Sequence, residues 1–423
     1  MKEKEHLNFI SVAAMYVGVI VGAGFASGRE TWQFFGIFGE DGFKGSILAG
    51  CAFAVLAFMI GFLAAELKTE DMGRIISLVD NKKITESIGC FMAVFLFTTI
   101  ISMTAAGGSF LYQQFGIHKA IGGGIIAVLV AVTVLGDFKR ISGFFKYIVP
   151  ILFAVVMGLC FYIILSGAEQ SGKTYNFQQP EIISSWYVAA PLYVAYNSLG
   201  MIPMGSATCL NAKNRKHAMA GSIIGGLLLG AMTFTLVAAL QKDMAFSASL
   251  DLPMLGFSAR ISIPVNIVYG IVLYVSIYSA ATSVFYGFTM KIPDKPYKKK
   301  VILIAVLIGY LLGLVGFKNI IAYIYPVEGY FGIVVIILIT LHFITVLGKK
   351  VIISVSRFHM KKTAIYILIA VLLIFLFILL STKILGEVFG KKIEMYSLIA
   401  IGVILSVLLI LNNRDRGNKD DNN

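Results

Sequence analysis

The chain has 423 residues, of which 58% are hydrophobic and 13% charged, with a mean hydropathy of +0.87. Soluble globular proteins carry about 25% charged residues, so the composition excludes that class and identifies an integral membrane protein. The formal net charge of +13 would suit a nucleic-acid partner, but the placement of the basic residues along the chain gives another reading.

A helix rising about 1.5 Å per residue needs roughly 20 apolar residues to cross a ~30 Å hydrocarbon layer. Apolar runs of that kind predict twelve spans, at 8–37, 43–66, 84–114, 119–136, 141–166, 182–207, 217–240, 260–290, 300–316, 319–347, 363–381 and 395–411. The first run is too long for a cleaved leader and opens on the mixed-charge stretch MKEKEH, so it is expected to stay in the mature protein. With the amino terminus placed in the cytoplasm, 25 Lys and Arg fall on the cytoplasmic side, 9 fall outside, and Arg29 lies within a span. That asymmetry is the positive-inside signature of a multi-pass plasma-membrane protein with both termini cytoplasmic, and it accounts for the basic excess without a nucleic acid. The bilayer is then the large-scale partner, and a small molecule the expected substrate. Oligomeric state is not written in the sequence. Cys51, Cys90, Cys160 and Cys209 form no C-x-x-C or zinc-type spacing and are expected to be free thiols.

Span 1 contains VGAGFASGRE, residues 21 to 30, where Gly18, Gly22, Gly24 and Gly28 weaken the helix by up to ~1 kcal/mol each. Span starts recur at an offset near 175 residues, so spans 1–5 and 6–10 pair as two units, each with a long third span and a short fourth. Five is an odd number, which turns the second unit upside down and produces an inverted-topology repeat. The predicted organisation is residues 1–181 for the first unit, 182–347 for the second, and 348–423 for two additional spans and a polar tail. Moving Gly22 and Gly24 by the offset lands in AAPLYVAYNSLGMIPM of span 6, where Pro191, Asn197, Ser198, Gly200 and Pro203 predict a second break. Unwound backbone inside a bilayer is tolerated only where it lines a cavity or is buried in protein, so the paired breaks predict a central binding site. Close helix packing through the GxxxG pairs Gly18/Gly22 and Gly24/Gly28 is the plainer explanation for the glycines.

Two five-span units with spans 1 and 6 broken, followed by two further spans, resemble the leucine-transporter fold of the amino acid-polyamine-organocation superfamily. GAGFASGRE is similar to the corresponding stretch of the YkvI-like bacterial membrane proteins within it. The resemblance implies an all-α transporter working by alternating access, with spans 1, 3, 6 and 8 around the site. Gly22, Ala23, Gly24, Phe25, Tyr193, Tyr196 and Asn197, with Thr104 of span 3, are the expected substrate contacts. Aromatic rings beside freed backbone suit an amino acid or a related small amine.

In YSAATSVFYG of span 8, Ser279, Thr282 and Ser283 share one helix face, at a depth comparable with Gly18 and Val21. The resemblance implies a sodium site of span 1 carbonyls and span 8 hydroxyls there, hence sodium-coupled symport with no cofactor beyond the coupling ion. Hydroxyls bonded back to their own helix are the simpler account of those residues. Lys146 of span 5 offers a proton-coupled or exchanging alternative, since some proton-coupled relatives of the fold carry an amine at the equivalent position. Arg29, Glu30 and Glu328 fall in the outer part of spans 1 and 10, where a charge at depth costs roughly 2.5–3.5 kcal/mol and so seeks a partner or water. Arg29 and Glu328 are expected to form an outer gate, as a span 1 arginine and a span 10 acid do in some members of the fold. Glu30 is the substitute, because Arg29 stands about one residue from the family position. An enzyme is not expected, because no Asp lies mid-span, no H-E-x-x-H occurs, and His342 has no evident acidic partner. A channel, which would not require the inverted breaks, and a ligand sensor of the same fold, binding without flux, are the remaining classes.

Overall fold

The computed structural model describes residues 7–79, 81–136, 138–166 and 182–355. The predicted spans 363–381 and 395–411 lie outside the described residues, as does the Lys146 side chain. One compact unit runs to Leu347, and a second begins at Gly348.

The described residues are helical, joined by short turns. The first predicted span is divided into α1 (Phe9–Ile20), α2 (Ala23–Ala26) and α3 (Arg29–Phe34). Then come α4 (Asp41–Leu67), the short α5 (Met72–Ile76), α6 (Lys82–Phe115), α7 (Lys119–Leu135) and α8 (Phe138–Ser166). After 182 the chain forms α9 (Trp186–Leu210), α10 (Arg215–Leu240), the short α11 (Met244–Ser249) and α12 (Pro253–Ile261), and α13 (Ile263–Thr289). It continues with α14 (Lys298–Gly313), the turn α15 (Phe317–Asn319), a π-helical segment at Ile320–Ile324 and α16 (Tyr325–Val355). Asp41–Leu67, Lys82–Phe115, Arg215–Ser249, Ile263–Thr289 and Phe317–Gly348 are each long and apolar enough to cross a membrane. Ten predicted spans therefore fall on described helices, with α6 the longest and α7 and α14 short at 17 and 16 residues.

The interior is built on close backbone approach. α4 lies along α10, with α1 and α9 against the same pair, while α6 packs on α7, α13 and α14. At the α4–α10 crossing Gly50 faces Gly230, and a Cβ on Gly50 would stand 2.8 Å from the Gly230 Cα. Lipid chains give helices no hydrophobic incentive to associate, so tight van der Waals contact through small residues is the term that holds such a crossing.

The expected break in span 6 is absent. α9 runs unbroken from Trp186 to Leu210 with Pro191 and Pro203 inside it. The polar residues that marked the break turn back on their own helix, Asn197 Nδ2 donating to the Tyr193 carbonyl (2.9 Å) and Ser198 Oγ to Ala195 (2.6 Å), and further along Ser206 Oγ donates to Ile202 (2.8 Å). Hydroxyl and amide side chains supply local bonds that let a membrane helix carry prolines without unwinding. Only the first of the two predicted breaks exists, and the site is assembled around it.

Replacing Gly230 with Val should force α4 and α10 apart and lower stability by about 1–3 kcal/mol. The thermal unfolding midpoint of detergent-solubilised protein reads this, with Leu227→Ala on the exposed side of α10 as the near-neutral control.

Candidate binding site at the break in the first span

The helical ladder of α1 ends where Val21 N–H reaches the Val17 carbonyl (2.9 Å) and Gly22 N–H turns to Ile20 instead (2.7 Å). Val21 takes φ −75°, ψ 70° and Gly22 φ −91°, ψ −161°, which redirects the chain. The Gly18 carbonyl thereby loses its ladder donor, and the Val21 carbonyl accepts from Ser276 Oγ of α13 (3.3 Å). A second bend follows at Gly28, which sits in the left-handed region at φ 76° and has no room for a side chain beside Met254 and Leu240. Met254 N–H caps the Ser27 carbonyl (2.9 Å), and the Tyr269 hydroxyl donates to the Ala26 carbonyl. The liberated backbone is thus held by α12 and α13.

Glu30, at the start of α3, folds back over α2. Its carboxylate occupies the place where a Cβ on Gly24 would be, so a glycine is required at 24 by space. The Tyr196 hydroxyl of α9 donates to Glu30 Oε2. Tyr196 in turn stacks on Tyr325 of α16, with ring centroids 4.7 Å apart and planes 30° from parallel. A cavity of about 90 Å³ opens here, lined by Gly22, Glu30, Tyr196, Asn197, Tyr325 and Glu328. α6 adds Thr98, Thr99 and Ser102 to its wall, and α13 adds Ala280 and Val284. Glu30 and Glu328 are 5% and 8% exposed, and both line this space. Glu328 Oε1 has no hydrogen-bond partner among the described residues.

Of the expected substrate contacts, Gly22, Tyr196 and Asn197 line the cavity. Ala23, Gly24 and Phe25 are buried behind it, and Tyr193 sits in an aromatic cluster against Phe25, Phe34, Phe35 and Phe53. Thr104 points elsewhere: its hydroxyl bonds to the carbonyls of Ile101 and Gly309, in a smaller pocket between α6, α7 and α14. The span 3 residues at the cavity run from Phe95 to Met103, starting about two and a half turns earlier. Of the expected ion ligands, Gly18 and Val21 are at the kink, whereas the Thr282 hydroxyl donates to its own Tyr278 carbonyl (2.6 Å), and Ser279 and Ser283 are half-buried and do not line the cavity. The hydroxyl that reaches the kink is that of Ser276, one turn before Ser279. Its i, i+4, i+8 spacing to Ala280 and Val284 is the available signal, masked by the denser hydroxyl run that follows it.

The structure does not bring Arg29 to Glu328. Arg29 is 2% exposed and donates through Nη1 to the carbonyls of Ala248 (3.3 Å) and Leu250 (3.1 Å) and through Nη2 to Gln33 (3.4 Å). It fastens the α11–α12 connection across the start of α3. Asp251 in that connection is bound by Lys119 and by Ser109 Oγ (2.8 Å), and Gln113 Nε2 donates to the Leu252 carbonyl (2.9 Å). Burial pushes the Asp251 carboxyl up, but the bonds from Lys119 and Ser109 outweigh it and hold the group below the usual carboxylate range.

A lowered carboxyl adds stability at pH values above the ordinary range near 4, and this is lost as the pH falls through the depressed value. Asp251→Asn should therefore lower the unfolding midpoint at neutral pH, and the two proteins should converge in acid. For Gly24→Ala the expected outcome is displacement of the Glu30 carboxylate and a loss of stability. A double-mutant cycle with Glu30→Ala should recover most of that loss, because the shortened side chain clears the space.

Comparison with known proteins agrees with this geometry. A model of the sodium:alanine symporter family matches residues 78–176. Two proteins of Bacillus subtilis (strain 168) are similar along most of their length: the uncharacterized membrane protein YkvI, 24% identical over 327 residues (75% of this chain, 91% of YkvI), and YyaD, 20% identical over 330 residues (78% and 95%). Among solved structures, the inward-facing conformation of Mhp1 superimposes with a TM-score of 0.54 at 14% identity, covering 79% of this chain and 78% of Mhp1. A helix broken beside a polar cavity, in a bundle that follows Mhp1, leads to one conclusion: the chain is similar in sequence to YkvI and YyaD and shares the fold of Mhp1.

Proposed function

We propose that the protein is a secondary active transporter that carries an amino acid or a related small amine by alternating access, with sodium as the coupling ion. In this reading the ten described spans form a five-plus-five inverted repeat at 1–181 and 182–347, and the remaining two spans follow in 348–423. The observation that carries the reading is the kink at Val21–Gly22, which opens directly onto a cavity holding two buried carboxylates. Backbone freed in a bilayer is costly, and its recurrent use is to hold ions and substrate at the middle of the membrane. The Gly18 and Val21 carbonyls together with Ser276 Oγ supply oxygens of the kind that a sodium ion takes at such a kink. Glu30, Tyr196, Asn197, Tyr325 and Glu328 would face the cargo. Arg29, through the α11–α12 connection, would hold one end of the pathway shut.

A proton-driven cycle is the second reading, favoured by the presence of Glu30 and Glu328 in one buried cavity. Purified protein in proteoliposomes separates the two. Uptake of labelled amino acids and amines should rise severalfold under an inward sodium gradient, and Ser276→Ala should weaken the sodium dependence about tenfold, a change of roughly 1.4 kcal/mol in ion binding. Uptake that responds to a proton gradient and ignores sodium would establish the second reading. Absence of counterflow for every compound, with folded protein in the liposomes, would refute transport.

A further inference from the structure

We propose that the central cavity is selective for a small organic cation without a carboxylate, its ammonium group seated on Glu328. The inference rests on the transport reading and narrows its cargo. Glu328 is more than nine-tenths buried, its side chain lines the cavity, and its Oε1 has no hydrogen-bond partner among the described residues. A buried, unpaired acceptor in a bilayer-spanning bundle is an incomplete contact, and the group that completes it must be a donor.

Charge selects among donors. Glu30 shares the cavity, and the only hydrogen bond described for its carboxylate comes from the neutral Tyr196 hydroxyl. No Lys, Arg or His is among the described residues lining the space. A zwitterion would therefore bring a third carboxylate into a chamber that already holds two, with no basic side chain to receive it. The four-residue α2 is too short to serve as an anion seat. A metal ion is a poor fit as well, since no third His, Cys, Asp or Glu joins the pair among the described residues, and hard divalent cations gather six or more oxygens around them.

The rest of the wall matches an alkylammonium ion. The stacked rings of Tyr196 and Tyr325 border the space and can offer π-electron density to a cation, while Leu96, Val284 and Leu199 offer apolar surface to a short carbon chain. At about 90 Å³ the cavity has room for about three water molecules at ~30 Å³ each, which is the scale of a small amine.

The test uses four probes on the full-length protein: n-butylamine, 1,4-diaminobutane, 4-aminobutyrate and alanine, each titrated by thermal shift and by competition for uptake in proteoliposomes. Both amines should bind roughly tenfold or more tightly than 4-aminobutyrate and alanine, and Glu328→Gln should weaken the amines by roughly tenfold or more. Equal or tighter binding of 4-aminobutyrate or alanine by the wild-type protein overturns the inference while leaving transport intact. So does unchanged amine affinity in Glu328→Gln. Selectivity is read on the wild-type protein, so a variant that fails to fold does not rescue the proposal. Amines that bind without counterflow would instead refute the transport reading.

Discussion

The Glu30 carboxylate lies inside the bundle, and much of the surrounding architecture follows from accommodating it. A charge at that depth needs partners or a ligand. One oxygen is met by Tyr196, and the side chain fits only because Gly24 leaves its own Cβ position open. Gly24 belongs to a single turn of helix, Ala23–Ala26, isolated by the bends at Gly22 and Gly28. The bends in turn free carbonyls that α12 and α13 take up through Met254, Tyr269 and Ser276. Removing the glycines would leave neither the space for the acid nor the kinked backbone beside it.

The start of α3 carries two different tasks. At its start, adjacent residues point in opposite directions: Arg29 reaches the carbonyls of the α11–α12 connection and Glu30 turns into the cavity. Arginine suits the first role because its planar fork can engage several carbonyl oxygens at once. The same connection is held from the other side by Lys119, Ser109 and Gln113 of α6 and α7. A movement that releases the connection would therefore pull on α3, and through it on Glu30. The mechanical link between the periphery and the cavity is a single peptide unit long.

The contrast between the first and sixth spans is instructive. Both carry helix-weakening residues at matching places, yet α1–α3 is bent twice and α9 is continuous. Glycine at 22 and 28 offers backbone conformations with nothing to restore the ladder, whereas Asn197, Ser198 and Ser206 have side chains that bond to their own helix. A proline removes one ladder bond and leaves the rest of the helix intact when neighbouring side chains and packing compensate.

By itself the sequence determined the class, the helices on which the first ten predicted spans fall, the bend near Gly22 and the burial of Arg29, Glu30 and Glu328. Each of these follows from local chemistry: apolar run length, glycine content, and charge placed within an apolar segment. Tertiary structure alone decided which of those groups meet. Depth counting paired Arg29 with Glu328, but depth is one coordinate, and the direction in which a side chain leaves its helix depends on helix rotation and on what packs beside it. The same reason moved the span 8 contact from Thr282 to Ser276, and the span 3 wall from Thr104 to Thr98 and Ser102. A bend of one or two residues rotates everything after it, and that rotation is set by contacts with α9, α12 and α13, which are far away in the chain.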